Sequence, residues 1–256
     1  MNADRKTKIC VSVGHGRSKN GGFDPGACSG GLREFDIARE IAKYLAEYLR
    51  SAGFETELIN YGKDMYLTDR IGKINAGGYD FALEIHLNAG KGRGCEVYYP
   101  AGSQEGRRAA ALISAAVAEE FSVPDRGAKT RTGVTGADYF GIIRDTKPLT
   151  LLVETVFIDS PDVENVASAS GRDACARAIS KAVGSYFDSL QTPLRVGIVC
   201  DTLNVRSGPG TQYKINSTVG RGGVYTVTER RGGWGRLKSG AGWINLGGSL
   251  VEMRGN

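Results

Sequence analysis

The order of strand-like and helix-like segments is the feature that most constrains the fold of this chain. Between residues 7 and 188, short β-branched runs alternate with stretches whose apolar residues recur at the spacing of an amphipathic helix, as Ile37, Ile41 and Tyr44 do. The runs that predict strands are KICVSV, FETELIN, DFALEIH, GCEVYYP, DYFGIIRD and LTLLVETVF, and the stretches that predict helices are FDIAREIAKYLAEYL, RRAAALISAAVAEEF and DACARAISKAVGSYFDSL. This alternation predicts an α/β domain with a mixed, mostly parallel sheet and helices on both faces.

The last quarter of the chain follows a different pattern. After SYFDSL, the segment QTPLR contains a proline and no periodicity, which predicts a linker at residues 189–195. Beyond it, the β-rich runs VGIVC, LNVRS, GGVYTVTER, GWGRLK and GWINLGG are separated by Gly-rich turns. We therefore expect two domains, a larger one at residues 1–188 and a small all-β barrel at residues 196–256.

The positive charge of the chain is concentrated in this second region. From Arg195 to the end there are nine Lys and Arg residues against three Asp and Glu residues, a net charge of +6 in a chain whose total is +5. Such a region favours an anionic polymer as partner, although arginine in a small Gly-rich domain also serves solubility alone. The region lacks the combined aromatic and basic motifs of nucleic-acid-binding modules, so we expect no nucleic-acid partner.

Two further features bear on where the chain works. No stretch approaches the roughly 18 apolar residues that a membrane-spanning helix needs, and MNADRKTKIC continues into a strand-like VSVG instead of a signal-peptide core. We therefore expect synthesis in the cytoplasm, without a signal peptide and without a transmembrane segment. The five scattered cysteines include no C-x-x-C pair, which indicates neither a disulfide framework nor a cysteine zinc site. We expect them to be mostly buried free thiols.

The chain has only two histidines, and each comes at the end of a predicted strand. His15 follows KICVSV, and His86 ends DFALEIH. Glu34 begins the first long helix, and Glu154 follows the apolar run LTLLV. Because the carboxyl ends of neighbouring parallel strands meet at one edge of a sheet, we expect these four side chains to lie together there.

Each of these residues also has an ordinary structural explanation. A histidine at a strand end is commonly exposed, and a glutamate at the start of a helix interacts with the helix dipole. Glu154 fits such an explanation least, because an acid after an apolar run is costly to bury unless it is paired, bound to a metal or catalytic. Two imidazoles and a carboxylate are a standard ligand set for catalytic zinc, and a further carboxylate can act as base. The residues therefore predict a metal site that uses both histidines and both glutamates.

Three stretches of the chain resemble the zinc-dependent N-acetylmuramoyl-L-alanine amidases of type 3. They are GHG and FDPGACSGGLRE, with RSKNGG inserted between them, EIHLNAG with GCEVYY, and LLVETVFIDSPDVEN. The resemblance covers residues 8–188 and implies that His15, Glu34 and His86 bind Zn²⁺ and that Glu154 is the catalytic base. It implies a peptidoglycan hydrolase that cleaves the amide between N-acetylmuramic acid and L-alanine.

The chain departs from that family at a few positions. Glu84 stands where the family usually has serine, so we expect an extra acid just behind the metal or across the sheet. The segment LINYGKDMYLTDR lacks the customary Thr-Arg pair. Cys28 lies between two predicted ligands, and we expect a buried thiol there and not a ligand. Asn88 and the loop at residues 124–138 are candidates for holding glycan or peptide.

Residues 196–252 resemble a bacterial SH3 domain. The resemblance rests on LNVRSGPG, on the segment WGRLK and on the closing GWI. It implies an SH3-like barrel that binds cell-wall peptide or polymer, including anionic wall polymers through its basic residues. Tyr213, Trp234 and Trp243 are the candidate contact aromatics, and at least one tryptophan should lie in the barrel core.

The combination of amidase, linker and wall-binding module resembles a phage endolysin, which reaches the cell wall after a holin opens the membrane, or a bacterial autolysin. Two other interpretations stay open at this point. A zinc peptidase that cleaves within the stem peptide would use the same metal chemistry with a different pocket. A wall-binding protein without catalytic activity would keep the fold alone.

Overall fold

The computed structural model describes residues 6–254 of the chain. Contacts divide these residues into two units. The first extends to Gly184, apart from Gly102–Glu105, and the second contains Gly102–Glu105 together with the described residues from Ser185 onward. The predicted domain limits at residues 188 and 196 are not decided by this division, and they stay a prediction.

A six-stranded sheet forms the centre of the first unit. Its strands are β1 (Lys8–Val13), β2 (Glu55–Ile59), β3 (Phe81–Asn88), β4 (Cys95–Tyr98), β5 (Asp125–Lys129) and β6 (Leu149–Phe157). The strand order is β2-β1-β3-β6-β4-β5, in which only the β6–β4 pair is antiparallel. The prediction of a mixed, mostly parallel sheet is therefore confirmed.

Helices cover both faces of this sheet. They are α1 (Glu34–Ser51), α2 (Leu67–Ala76), α3 (Gln104–Phe121), α4 (Gly141–Arg144) and α5 (Ala169–Gln191), with two short helical turns at Pro161–Val163 and Glu164–Ala167. Side chains of a strand alternate between its two faces. Cys10 of β1 packs with Ile74 of α2 and Ile142 of α4, while the neighbouring Ile9 and Val11 are also fully buried, so neither face of β1 is left to solvent.

Two local predictions were wrong, and one helix was not predicted. The segment DYFGIIRD was predicted as a strand, but Gly141–Arg144 forms one turn of helix whose Ile142 and Ile143 pack into the core beside α2. The position beside β4 is taken instead by β5, Asp125–Lys129, which lies in the segment expected to be a loop. Helix α2 was not predicted. A short apolar run fits a strand or a buried helical turn equally well, and only packing decides between them.

The second unit contains seven antiparallel strands. They are β7 (Leu194–Ile198), β8 (Thr202–Arg206), β9 (Ile215–Gly220), β10 (Val224–Arg231), β11 (Trp234–Leu237), β12 (Trp243–Asn245) and β13 (Val251–Arg254). Their order is β9-β8-β12-β11-β10-β7-β13. Val196, Val205, Val227 and Ile244 are fully buried in one shared core. The predicted all-β, SH3-like region is confirmed.

The cysteines are unpaired, but not all of them are buried. Cys10, Cys95 and Cys175 lie in the core as expected. Cys28 is exposed, because it belongs to a two-residue surface hairpin that pairs Cys28–Ser29 with Leu32–Arg33, so the expectation of a buried thiol there was wrong. Among the described residues, no helix combines the length and the apolar character needed to span a membrane.

Candidate metal centre

Parallel strand pairing brings the four predicted site residues to one edge of the sheet. Val13 at the end of β1 pairs with Ile85, and Glu154 of β6 pairs with His86 of β3, so His15, His86 and Glu154 follow each other across neighbouring strands. Glu34 reaches the same edge as the first residue of α1. All four side chains line one cleft, as the sequence predicted.

Glu34 bridges the two histidines. Its Oε2 lies 3.2 Å from Nε2 of His15, and its Oε1 lies 2.9 Å from Nδ1 of His86. One ligand atom from each of the three residues lies within 4.8 Å of the other two. Two ligand atoms of a tetrahedral zinc with bonds near 2.0 to 2.1 Å are about 3.3 Å apart, which is close to the 3.2 and 2.9 Å between the oxygens of Glu34 and the two ring nitrogens.

Asp24 orients the first histidine. Its Oδ2 lies 2.9 Å from Nδ1 of His15, which leaves Nε2 of the ring to face Glu34. The backbone N–H of Gly26 donates to Oδ1 of the same carboxylate at 3.0 Å. A carboxylate on the far nitrogen of a histidine ligand fixes its tautomer and ring orientation. Asp24 was not predicted as a site residue, although it lies within the FDPGA stretch that carried the resemblance.

The carboxylate of Glu34 is held in its charged form. It accepts hydrogen bonds from the backbone N–H groups of Ala27 and Leu87 at 2.8 and 3.0 Å. Burial by itself raises the pKa of Glu34, but the hydrogen bonds from His15 and His86 outweigh it and hold that pKa well below its usual range. An anionic carboxylate between two imidazoles has the charge and the donor atoms that bind a divalent cation.

Glu154 differs from Glu34 in having no partner for one of its oxygens. Within the described part of the chain, Oε2 of Glu154 is buried and makes no hydrogen bond. Burial raises the pKa of Glu154 to about 7; the charge of His86 opposes this rise, and the carboxylates of Glu34 and Glu96 add to it. A carboxyl group with a pKa near neutrality is suited to take up and release a proton.

The cleft around these residues has a volume of about 500 Å³. Its lining includes the apolar residues Leu67, Phe140 and Leu152. It also includes Asn88, a candidate substrate contact, whose Nδ2 donates to Oε1 of Glu96 at 2.8 Å. The amide of Asn88 therefore lies in the cleft, but its nitrogen is already engaged.

The three candidate contact aromatics of the second unit differ in exposure. Trp234 and Trp243 are each 9% exposed, whereas Tyr213 is 40% exposed. Both tryptophans thus lie in the barrel, and Tyr213 is the aromatic residue of the three that presents much of its ring to solvent. Their role in wall binding stays a prediction.

Because Gly14 has no side chain, the imidazole ring of His86 can pack directly against its backbone. A Cβ at Gly14 would overlap the imidazole, and Gly14 has no positive φ, so the Gly14→Ala variant introduces a steric conflict without backbone strain. We expect this variant to lose about 100-fold in hydrolytic activity, because a shift of about 1 Å in a site residue costs that much. The rate of hydrolysis by the purified variant, compared with that of the unaltered protein, measures this loss.

Gly72→Ala is the matched control for this prediction. A Cβ at Gly72, within α2, meets no atom within 4 Å. We expect it to retain full activity and to gain about 0.5 to 1 kcal/mol of stability from helix propensity. Equal activity of the two variants would show that the ring position of His86 has no effect on hydrolysis.

The fold and this group of side chains define an α/β protein with a candidate metal centre and a buried carboxylate in the same cleft. A family model described as N-acetylmuramoyl-L-alanine amidase matches residues 9–185, and a model described as bacterial SH3 domain matches residues 201–251. The chain therefore belongs to the N-acetylmuramoyl-L-alanine amidase family and carries a bacterial SH3 domain. The predicted activity, hydrolysis of peptidoglycan by such an amidase, is confirmed by this membership.

Individual relatives agree with the family assignment. The sporulation-specific N-acetylmuramoyl-L-alanine amidase of Bacillus subtilis (strain 168) is 31% identical over 191 residues, which cover 72% of this chain and 70% of that protein. The endolysin of Bacillus phage SPP1 is 31% identical over 60% of this chain and 56% of its own length. The crystal structure of N-acetylmuramoyl-L-alanine amidase from Clostridium difficile 630 matches with a TM-score of 0.62 and 26% identity, covering 73% of this chain and 99% of that one.

Proposed function

We propose that the chain cleaves the amide between the lactyl group of N-acetylmuramic acid and L-alanine with one zinc ion, held by His15, Glu34 and His86, and with Glu154 as general base. The observation that carries this proposal is the buried and unpartnered Oε2 of Glu154, which shares a cleft with a three-residue ligand group. Burying a polar atom without a hydrogen-bond partner costs folding free energy. Such atoms occur at active sites, where the group has a catalytic use.

The ligand group supports zinc by its chemistry. Two imidazole nitrogens and one carboxylate are the three-ligand set of many catalytic zinc sites, which leave a fourth position open. Zinc bound there supplies Lewis acidity, lowering the pKa of a water molecule and polarising the scissile carbonyl. Asp24 and the backbone N–H groups that reach Glu34 keep the ligand atoms oriented for this task.

Glu154 moves the proton in this mechanism. Its Oε2 accepts a proton from the attacking water as the carbon–oxygen bond forms, and it returns that proton to the nitrogen of L-alanine as the carbon–nitrogen bond breaks. Its pKa near 7 suits both transfers. The base then returns to its charged form for the next cycle.

The products of peptidoglycan digestion test this proposal. Purified peptidoglycan is incubated with the protein, with and without a zinc chelator, and new amino termini and new reducing sugars are measured. New N-terminal L-alanine without new reducing ends, abolished by the chelator, supports a zinc amidase. Other new amino termini would support a zinc peptidase instead, and the absence of products would support a wall-binding protein without catalytic activity.

We further propose that the second unit binds the cell wall, with Tyr213, Trp234 and Trp243 as candidate contacts and the basic residues as contacts to anionic wall polymers. The net charge of +6 from Arg195 onward supports this. Binding to cell walls from which the phosphate polymers have been removed distinguishes peptidoglycan from the anionic wall polymers as the partner. Binding that persists on stripped walls is binding to peptidoglycan, and binding that disappears is binding to the anionic polymer.

Shortening the chain after Gln191, where α5 ends, tests the role of this unit. We expect binding to intact walls to fall at least about 10-fold, because the shortened protein loses its second attachment to the polymer. Cleavage of a short, dissolved muramyl peptide should change by no more than about 2-fold. An equal loss of both activities would mean that the second unit contributes to the active site.

We also propose that the chain is made in the cytoplasm and reaches the wall through a holin-type pore. The phage endolysin among the relatives supports this proposal. Expression in a bacterial host with and without a holin tests it. Lysis only in the presence of the holin is the expected result, and lysis without it would indicate another route.

A further inference from the structure

Glu84 is a buried carboxylate directly behind one of the two histidines. It is 2% exposed, and its Oε1 accepts a hydrogen bond from Nε2 of His86 at 3.0 Å. Because Nδ1 of the same ring faces Oε1 of Glu34 at 2.9 Å, the imidazole lies between two carboxylates. Glu84 therefore fixes which nitrogen of His86 points toward the ligand group.

Arg70 connects this carboxylate to the other histidine. Nε of Arg70 donates to Oε2 of Glu84 at 2.9 Å, and Nη1 donates to the backbone carbonyl of His15 at 2.8 Å. His15 has a φ of 60°, a conformation that residues other than glycine rarely adopt. Asn60 donates to the same carbonyl at 2.8 Å, so two side chains hold this unusual backbone in place.

Hydrogen bonds and a neighbouring positive charge favour the charged form of Glu84. Burial by itself raises the pKa of Glu84, but the attraction of Arg70 and the hydrogen bond from His86 outweigh it and lower that pKa to about 2. The hydroxyl of Ser12 also donates to Oε2 of Glu84, at 3.0 Å. Both oxygens are thus satisfied, and the planar guanidinium presents two donors in a fixed geometry.

Stability alone does not explain such a pair. Moving two charges into the protein interior costs free energy that their attraction only partly returns, and apolar residues of similar volume often serve as well or better. What apolar residues cannot supply is a hydrogen bond to His86 and another to the carbonyl of His15. The pair therefore contributes hydrogen bonds to both histidines, which an apolar replacement would not provide.

We propose that Arg70 and Glu84 form one positioning unit that sets the distance between His15 and His86 and thereby the affinity of the site for zinc. The inference rests on the proposed function, because it takes the two histidines to be zinc ligands. Neither residue of the pair reacts with substrate; both act through the histidines.

Zinc affinity of the folded protein tests this inference. Competition with a chromophoric chelator measures the dissociation constant of zinc, and circular dichroism in the presence of a chelator measures the melting temperature of the zinc-free protein. We expect Glu84→Gln, which replaces the charged acceptor of His86 by a neutral amide oxygen, to weaken zinc binding about 10- to 100-fold, the usual effect of altering a partner of a histidine ligand. Arg70→Lys, which keeps the charge, should also weaken zinc binding, because one ammonium cannot donate in the fork geometry of arginine.

Two further variants separate positioning from stability. Asp162→Asn removes the charge of another buried carboxylate of the same unit, which pairs with the largely exposed Arg93, and it should lower the melting temperature without changing zinc affinity by more than about 2-fold. The double variant Arg70→Met with Glu84→Leu replaces the pair by apolar side chains. We expect this double variant, free of zinc, to melt at about the same temperature as the unaltered zinc-free protein. Its zinc binding should stay as weak as that of the single variants.

The outcomes distinguish the inference from the proposed function. If the unaltered chain binds no zinc, the proposed function fails. If it binds zinc and folded Glu84→Gln or Arg70→Lys binds it equally well, only the positioning role is overturned. Recovery of zinc affinity in the apolar double variant would likewise overturn it, because the pair would then be a structural ion pair only.

Discussion

Replacing Glu154 by glutamine should lower the rate of amide hydrolysis about 10²- to 10⁴-fold without lowering the zinc content that we propose for the purified protein. Loss of a general base has an effect of this size, and glutamine has nearly the same volume as glutamate but cannot accept the proton. Because Glu154 is proposed as base and not as ligand, the metal content should not change. Steady-state kinetics on a muramyl peptide and metal analysis of the same sample measure the two quantities.

The same substitution should stabilise the zinc-free protein, and the effect should depend on pH. The pKa of Glu154 is raised from 4.5 to about 7 in the folded state, so the folded protein binds the proton more tightly than the unfolded chain does. The contribution of Glu154 to stability therefore decreases as pH rises from about 4.5 to 7, and Glu154→Gln avoids this loss. We expect its advantage in unfolding free energy to be small at pH 4 and to reach about 2 to 3 kcal/mol at pH 8.

Glu96→Gln is the matched control for the measurements of activity and zinc content. Glu96 lies opposite Glu154 on the antiparallel strand, but its oxygens accept hydrogen bonds from Asn88, Tyr98 and Arg126. Its replacement leaves the guanidinium of Arg126 without its carboxylate, so we expect lower stability and a much smaller loss of activity. Loss of zinc in Glu154→Gln, or full activity, would contradict the role of Glu154 as base.

Removal of zinc is the second change with a large expected effect. A chelator should abolish hydrolysis, and stoichiometric zinc should restore it, while magnesium should not, because magnesium prefers oxygen ligands. Zinc that binds only the folded protein stabilises it by about 4 kcal/mol at a concentration of 1,000 times its dissociation constant. The melting temperature of the first unit should therefore rise by about 8 to 16 °C with zinc.

The pH dependence of zinc binding checks which residues hold the ion. Burial lowers the pKa of His86, but the hydrogen bonds to Glu34 and Glu84 outweigh it and raise that pKa to about 10 in the metal-free protein. Zinc has to replace the proton on this ring, so its affinity should increase as pH rises from 6 toward 9. His86→Gln should remove both the binding and its pH dependence. Hydrolysis that survives exhaustive chelation would contradict the metal centre.

The arrangement of the elements could be predicted from the sequence to a large extent. Long periodic segments such as α1 and the β-branched runs of β1, β3 and β6 have strong local signals, and these elements occur where the sequence predicted them. The failures were short segments, among them Gly141–Arg144, which forms a helical turn, and Asp125–Lys129, which forms a strand. Segments of four or five residues have too little periodicity to select a conformation before they are packed.

The residues of the site could also be predicted in part from the sequence. His15, His86 and Glu154 follow runs that predict strands, and Glu34 begins a periodic helix, so the topology of a parallel sheet was enough to place them together. The residues that orient these side chains could not be predicted from strand and helix patterns. Arg70 lies in a helix that was not predicted, and Asp24 lies in a Gly-rich hairpin without periodicity.

The sequence by itself determined the α/β class of the first unit, the all-β class of the second, and the identity of four residues at the sheet edge, because these follow from periodicity and from the types of side chain present. Only the tertiary structure decided that Glu34 bridges both histidines, that Arg70 reaches Glu84 and the carbonyl of His15, and that Oε2 of Glu154 has no partner. Such contacts join residues from 14 to 55 positions apart. Their distances depend on how helices pack on the sheet, which local sequence does not specify.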